Sequence, residues 1–282
     1  MMSPVVVITG ASSGIGAALA RRLAFDRARL VLAARREAEL QAVCEEVLKL
    51  GAKTAIAVPA DVTKRSEVIK IRDAALDARG RIDVWVNNAG RGITRSVLEL
   101  TDEDIDEMIA VNVKSAIYGM QAAIPHFIER GSGHLINVSS FLGRVPIASF
   151  RSAYSAAKAA LNSLTANLRT DLRDYPGIHV TLVMPGVVAT DFARNVRGEA
   201  RPPINAGAPG SSPMKPQTAE EVAERIAEVI KRPVAEIYTN PASADVARRY
   251  YADVSAFERS SSPTPPSPED TTLRSDRTES RA

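Results

Sequence analysis

The sequence predicts an α/β domain: a doubly wound, Rossmann-type parallel sheet of about seven strands with helices on both faces. Three observations carry that expectation. Short β-branched apolar runs without polar alternation, such as Val5-Val-Val-Ile8, have the composition of strands buried on both faces. Amphipathic segments of helical period lie between them. The first run enters a glycine-rich turn, Thr9-Gly-Ala-Ser-Ser-Gly-Ile-Gly16, that opens a helix.

Taken in order, residues 5–8 form the first strand and residues 17–25 the first helix. The glycines fall as Gly10-x-x-x-Gly14-x-Gly16. One permits the tight turn, one lets a pyrophosphate approach the backbone, and one lets the helix pack on the strand. Ser12 and Ser13 add hydroxyls there. Residues 29–34 form the second strand. A carboxylate at its end, about 20 residues past the glycine turn, would select NAD. The chain instead has Ala34, Arg35 and Arg36, and two guanidiniums can clamp a 2′-phosphate, so the expected cofactor is NADP (NADPH) rather than NAD.

Residues 37–50 read as an amphipathic helix closed by Gly51, and residues 53–58 as strand three. Asp61-Val62 follows at its carboxyl end, where the aspartate can accept from an adenine amino group or serve as an N-cap for a helix over 64–78. Strand four, 81–86, ends in Asn87-Asn88-Ala89-Gly90, amides and a glycine suited to a turn against a cofactor. Thr101-Asp-Glu-Asp104 has the form of a capped start to a long helix over 105–129 that carries Asn112. Strand five, 134–138, ends in Ser139-Ser140. A loop over 141–152 leads to a helix with Tyr154 and Lys158, and strand six, 178–184, runs into Pro185-Gly186, Val188 and Thr190.

The totals set bounds on function. With 282 residues, 45% hydrophobic and 24% charged, the chain suits one large α/β domain. A net charge of +3 without a basic run interleaved with aromatics gives no case for nucleic acid. One cysteine, Cys44, excludes an internal disulfide, and His126, His134 and His179 lack ligand spacing, so no metal site is expected. No signal-peptide pattern or membrane-length apolar run is evident, so the expected location is the cytoplasm.

Tyr154 and Lys158 are four residues apart and share one helix face. A free phenol, with a pKa of about 10, is a poor acid-base group at neutral pH. A neighbouring ammonium favours the phenolate, and a shift of about three units corresponds to roughly 4 kcal/mol. A second positive charge would help to supply it.

These motifs together, Thr9 to Gly16, Asn87 to Gly90, Asn112, Ser140, Tyr154-x-x-x-Lys158 and Pro185-Gly186 to Thr190, occur in an order that resembles the short-chain dehydrogenases/reductases over residues 4–240. The resemblance implies that Tyr154 is the general acid-base group and that Lys158 lowers its pKa and binds the nicotinamide ribose. It implies that Ser140 holds the substrate oxygen, that Asn112 keeps a relay water near Lys158, and that Gly10, Ser13, Ile15, Asp61, Asn87 and Thr190 contact the cofactor. The implied activity is hydride transfer between a nicotinamide and a ketone, aldehyde or secondary alcohol. The alternatives are a non-catalytic NADP-binding regulator, expected to lose Tyr154 or Lys158, and an epimerase or dehydratase, expected to have a different glycine spacing and a larger substrate domain. The family also implies a homodimer or homotetramer through the helices bearing Asn112 and Tyr154. Ser140 precedes Tyr154 by fourteen positions, one more than the family's usual spacing, which leaves Ser139 as the other candidate.

Residues 193–217, with five prolines and three glycines, are expected to form a substrate lid with a basic bias. Phe141, Leu142, Val145, Phe150 and Phe192 suggest an apolar pocket wall and hence a small, apolar carbonyl or alcohol substrate. A helix over 218–231, a strand over 234–238 and a helix over 245–257 complete one catalytic domain, residues 1–257. In residues 258–282, 14 of 25 are Ser, Thr or Pro, the composition of a disordered tail.

Overall fold

The computed structural model describes residues 3–190, 197–198 and 215–261. Seven strands form one sheet: β1 Val5–Thr9, β2 Arg29–Ala34, β3 Thr54–Pro59, β4 Val84–Asn87, β5 Gly133–Val138, β6 Ile178–Met184 and β7 Glu236–Tyr238. All pair in parallel, in the order β3-β2-β1-β4-β5-β6-β7. The chain runs outward from β1 to β3 and then returns to the other side of β1. That reversal opens a crevice above the carboxyl ends of β1 and β4, where ligands bind in such sheets.

Nine helices are described. Helices α1 Gly14–Phe25, α2 Glu37–Lys49 and α7 Ala219–Lys231 cover one face, and α3 Arg65–Arg79, α5 Ser115–Arg130 and α6 Ser152–Asp171 cover the other. Alternation along β1 divides the core: Val6 and Ile8 join the first layer and Val7 the second. Two helix starts are capping boxes. Thr101 and Asp104 open α4, Asp102–Ile109, and Thr218 and Glu221 open α7, each pair exchanging side-chain and backbone bonds. Helices α8 Ser243–Ala252 and α9 Val254–Ser261 follow β7.

The long helix expected over 105–129 is interrupted. Helix α4 ends at Ile109 and a π-helical turn, Ala110–Lys114, joins it to α5. Asn112 explains the break locally. Its Nδ2 donates to the Met108 carbonyl at 3.1 Å, the acceptor that an α-helix reserves for the backbone N–H four residues on.

A buried polar chain fixes α6 against the sheet. Trp85 Nε1 donates to Asn87 Oδ1 at 2.7 Å, and Asn87 Nδ2 donates to Asn137 Oδ1 at 2.9 Å and to the Ala116 carbonyl at 3.2 Å. Asn137 Nδ2 donates to Thr165 Oγ1 at 2.9 Å, and that hydroxyl donates to the Leu161 carbonyl at 2.6 Å. Each member has a partner, so the chain specifies one placement of α6 on β4, β5 and α5.

The expected end of the domain at residue 257 falls within α9, which runs to Ser261 and buries Phe257 against Val145, Val246 and Ala247. The expected tail beyond that helix, and the lid apart from residues 197–198 and 215–217, lie outside the described residues. Among the described residues no helix is long and apolar enough to cross a membrane, and no His, Cys, Asp or Glu cluster could hold a metal.

Candidate active site

A cavity of about 710 Å³ lies in the crevice, in the range of small-molecule and cofactor sites. Its first wall is the β1–α1 turn. Gly10 there has φ +68°, and Gly16 packs so closely that a Cβ would lie 2.4 Å from the Gly10 carbonyl oxygen. Gly10, Ser12, Ser13, Gly14 and Ile15 line the cavity; Gly16 does not, and its part is to seat α1 on the turn. Ser13 is the N-cap residue of α1, yet its side chain caps nothing, and the first turn of α1 has no acidic residue. The positive end of the helix dipole therefore meets the cavity unopposed.

Arg36 Nη2 donates to Ser12 Oγ at 3.1 Å and to Ser13 Oγ at 2.7 Å. Arg35 lines the cavity beside it. Asp61 and Val62 lie beyond them. Burial pushes the Asp61 carboxyl up, but hydrogen bonds from Thr63 and the charges of Arg35 and Lys64 outweigh it, so its pKa lies below the usual range. Asp61 does not cap α3, whose N-cap residue is Lys64.

The β4 turn supplies the second wall through Asn88, Ala89 and Gly90. Asn88 Nδ2 donates to the Thr9 and Gly10 carbonyls at 2.9 and 3.3 Å, bracing one turn with the other. Asn87, expected as a cofactor contact, is turned into the polar chain beneath and does not line the cavity. Asn112 is also set back. It is 1% exposed, accepts from the Arg91 N–H at 3.2 Å and donates to the Arg91 carbonyl at 3.0 Å. A Cβ on Gly90 would lie 3.0 Å from Asn112 Oδ1 and 3.4 Å from Lys158 Nζ, so glycine lets the two groups approach through the turn.

The floor holds Ser140, Tyr154 and Lys158. The Ser140 and Tyr154 hydroxyls are hydrogen-bonded. Ser139 also reaches the cavity wall, but its hydroxyl donates to Asn162 Oδ1 at 2.5 Å and lies 3.2 Å from the Lys158 carbonyl, which commits it to holding α6. Lys158 Nζ donates to the Val138 carbonyl at 3.0 Å and lies 5.8 Å from the Tyr154 ring centroid. Burial lowers its pKa to about 8.

The expected acidification of Tyr154 by Lys158 differs from what this protein shows. Burial pushes the phenol up, and the Ser140 hydrogen bond and the Arg151 charge oppose that rise without reversing it. The second cation on Tyr154 is therefore Arg151, three residues earlier, which the sequence reading missed although that spacing places it on the same helical face. Pro185, Gly186, Val188 and Thr190 form the last wall, with Thr190 over Gly14. Of the expected apolar residues, Phe141, Leu142 and Phe150 line the cavity, and Ile147 and Val111 join them; Val145 is buried elsewhere and Phe192 lies outside the described residues.

A nucleotide-sized crevice at the switch point of a doubly wound sheet, with a tyrosine and a lysine on its floor, defines a dinucleotide-binding oxidoreductase fold. The comparisons narrow this. A family described as short chain dehydrogenase matches residues 4–201, and the chain belongs to that family. It is similar to an uncharacterized oxidoreductase of Staphylococcus epidermidis, 36% identical over 203 residues that cover 70% of this chain and 86% of that one. It is also similar to a short-chain dehydrogenase/reductase of Burkholderia phymatum solved with NAD, at 30% identity and TM-score 0.78, covering 94% and 97% of the two chains. A short-chain dehydrogenase of Sphingobium yanoikuyae solved with NADPH aligns at 26% identity and TM-score 0.73, covering 90% and 95%.

Proposed function

We propose that this protein is an NADP(H)-dependent oxidoreductase that interconverts a ketone or aldehyde and the corresponding alcohol, with Tyr154 as the proton-transfer group. The observation that carries the reading is the Tyr154 hydroxyl, hydrogen-bonded to Ser140 on the cavity floor beside the buried Lys158.

The residues present suit a phosphorylated dinucleotide. The β1–α1 turn and the free N-terminus of α1 suit a pyrophosphate, and Arg35 and Arg36 suit a 2′-phosphate. Asp61 and Val62 suit the adenine, and the turns at 88–90 and 185–190 suit the nicotinamide end. The bound nicotinamide would supply or accept the hydride.

The protein's own part is to hold the substrate and move one proton. In the reducing direction the Ser140 hydroxyl holds the carbonyl oxygen and Tyr154 gives it the phenolic proton. The phenolate so formed is stabilised by Lys158 and Arg151, whose charges grow more favourable as it acquires its own. In the oxidising direction the phenolate takes the alcohol proton. Asn112, fixed behind Gly90 and close to Lys158, suits a relay that returns the proton to solvent. Assembly into dimers or tetramers through α5 and α6 belongs to the same reading.

Replacing Tyr154→Phe tests it. Turnover should fall by about 10²- to 10⁴-fold, the usual worth of a positioned acid-base group. NADPH affinity should stay within a few-fold. Normal turnover in that variant refutes the assignment.

A further inference from the structure

Five cations line the cavity, Arg35, Arg36, Arg91, Arg151 and Lys158, against one carboxylate, Asp61, among the described residues. Each has a polar partner among the described residues. Arg36 binds the Ser12 and Ser13 hydroxyls, Arg35 faces Asp61, Arg91 forms an ion pair with Glu107, and Lys158 donates to Val138. Arg151, like Lys158, donates to a backbone carbonyl, but it stands beside the Tyr154 hydroxyl with no ion pair among the described residues.

Arg151 Nη1 donates to the Ile93 carbonyl at 3.1 Å, and its guanidinium stands 5.6 Å from the Phe150 ring centroid. Among the described residues no carboxylate pairs with it. A guanidinium has five N–H donors, so one carbonyl leaves others available to a ligand in the cavity that Arg151 lines. Its backbone is held firmly: Arg95 N–H donates to the Phe150 carbonyl at 2.8 Å and the Ser152 hydroxyl to the Arg95 carbonyl at 2.8 Å. Such a cation, half-buried beside apolar Phe150 and Ile147 with no counter-ion among the described residues, is costly unless an anion completes it. Arg151 lines the cavity one helical turn from Tyr154, whereas Arg36 is bound at the β1–α1 turn.

We propose that Arg151 is the carboxylate anchor of the substrate, so that the protein acts on oxo acids, and the matching hydroxy acids, whose carboxylate lies a few bonds from the reacting carbon. This rests on the reading of Tyr154 as the group that meets that carbon. The i, i+3 placement sets the spacing: side chains so related start about 5–6 Å apart, which a short acid can bridge. A single guanidinium matches a monoanionic carboxylate through two parallel hydrogen bonds. The substrate is thus anionic at one end, a narrower class than the neutral apolar carbonyl compounds suggested by the aromatic wall alone.

The test is binding to protein saturated with NADP⁺, measured by calorimetry with α-hydroxypentanoate, β-hydroxypentanoate and the methyl ester of each. At least one acid should bind tenfold or more tighter than its ester. Arg151→Met should bring that ratio near one while leaving the ester's affinity within a few-fold, and Arg151→Lys should keep part of the preference. A wild-type ratio near one for both pairs, or a preference unchanged in Arg151→Met, overturns the proposal. Should Arg151→Met not fold, the wild-type ratios and Arg151→Lys still decide. Turnover separates the two readings: loss of the acid preference in Arg151→Met reports on the anchor, whereas loss of oxidation in Tyr154→Phe with the acid preference intact reports on the proton-transfer group, and full oxidation in Tyr154→Phe refutes that assignment without touching the anchor.

Discussion

Lys158 offers a prediction in which function and stability pull in opposite directions. Lys158 is 3% exposed, and burial lowers its pKa from 10.5 to about 8. Below pH 8 the folded protein therefore holds a charge that the unfolded chain would carry more cheaply. A shift of roughly 2.5 units corresponds to about 3 kcal/mol at 1.36 kcal/mol per unit. Between pH 8 and 10.5 the unfolded state binds more protons than the folded one, so this group's contribution to stability rises with pH across that window and is level on either side. Lys158→Met removes the titration and keeps a side chain of similar length. It also loses the bond to the Val138 carbonyl, worth about 1 kcal/mol net. The variant should thus be about 2 kcal/mol more stable than the wild type at pH 7 and about 1 kcal/mol less stable above pH 10.5. Urea unfolding of both proteins, freed of nucleotide, at steps from pH 6 to 11 gives the difference directly and cancels the other titrating groups. A difference that stays flat across the window refutes the claim that Lys158 is a buried, destabilised cation.

Three further outcomes follow from the site. Ser140→Ala should lower turnover by about 10²-fold or more with little change in melting temperature, whereas Ser139→Ala, which breaks the bond to Asn162, should cost about 1–2 kcal/mol of stability; urea midpoints and initial rates tell them apart, and the reverse pattern would exchange the two assignments. Arg35→Asp should weaken NADPH by at least tenfold relative to NADH in fluorescence titrations, and an unchanged ratio counts against the phosphate clamp. Gly16→Ala should destabilise by several kcal/mol or prevent folding, because its Cβ would lie 2.4 Å from a backbone oxygen that cannot move without opening the turn; near wild-type stability by thermal melting would contradict that packing.

The fold was legible because each level of the sequence agreed with the next. Unbroken apolar runs, residues 5–8 in β1 and 30–34 in β2, allow no exposed strand face, and the capping boxes at Thr101 and Thr218 stand immediately before α4 and α7. The tight turn between β1 and α1 was legible because Gly10 and Gly14 take positive φ and Gly16 has no room for a side chain. What sequence could not show was direction. Asn87 and Asn88 are adjacent and chemically identical, yet a strand sends alternate side chains to opposite sides, so Asn87 serves the polar chain and Asn88 the cavity turns. The same alternation divides Ser139 from Ser140. The π-helical turn at Asn112 was hidden because an asparagine within a helical pattern gives no sign that its amide will take the Met108 carbonyl, an arrangement held also by its bond to Arg91, 21 residues away. Arg151 was passed over because an arginine before a helix normally reads as solvated, and its position beside Tyr154 depends on the loop pinned by Arg95.

The arrangement explains why the reactive groups are concentrated on one helix. Tyr154 and Lys158 lie in the first two turns of α6, with Arg151 at its N-cap position, while Asn162 and Thr165, further along, bind the 139–143 segment and the sheet. Geometry at the floor is therefore set by satisfied bonds deeper in the protein, and buried Lys158 and half-buried Arg151 line the cavity. A cation held away from water costs stability until an anion arrives, and the same desolvation strengthens its attraction for a phenolate or carboxylate. On the proposed reading, the burial that weakens the empty fold at Lys158 also strengthens the pull of its charge, with that of Arg151, on a phenolate at Tyr154, against the burial that raises the phenol's pKa.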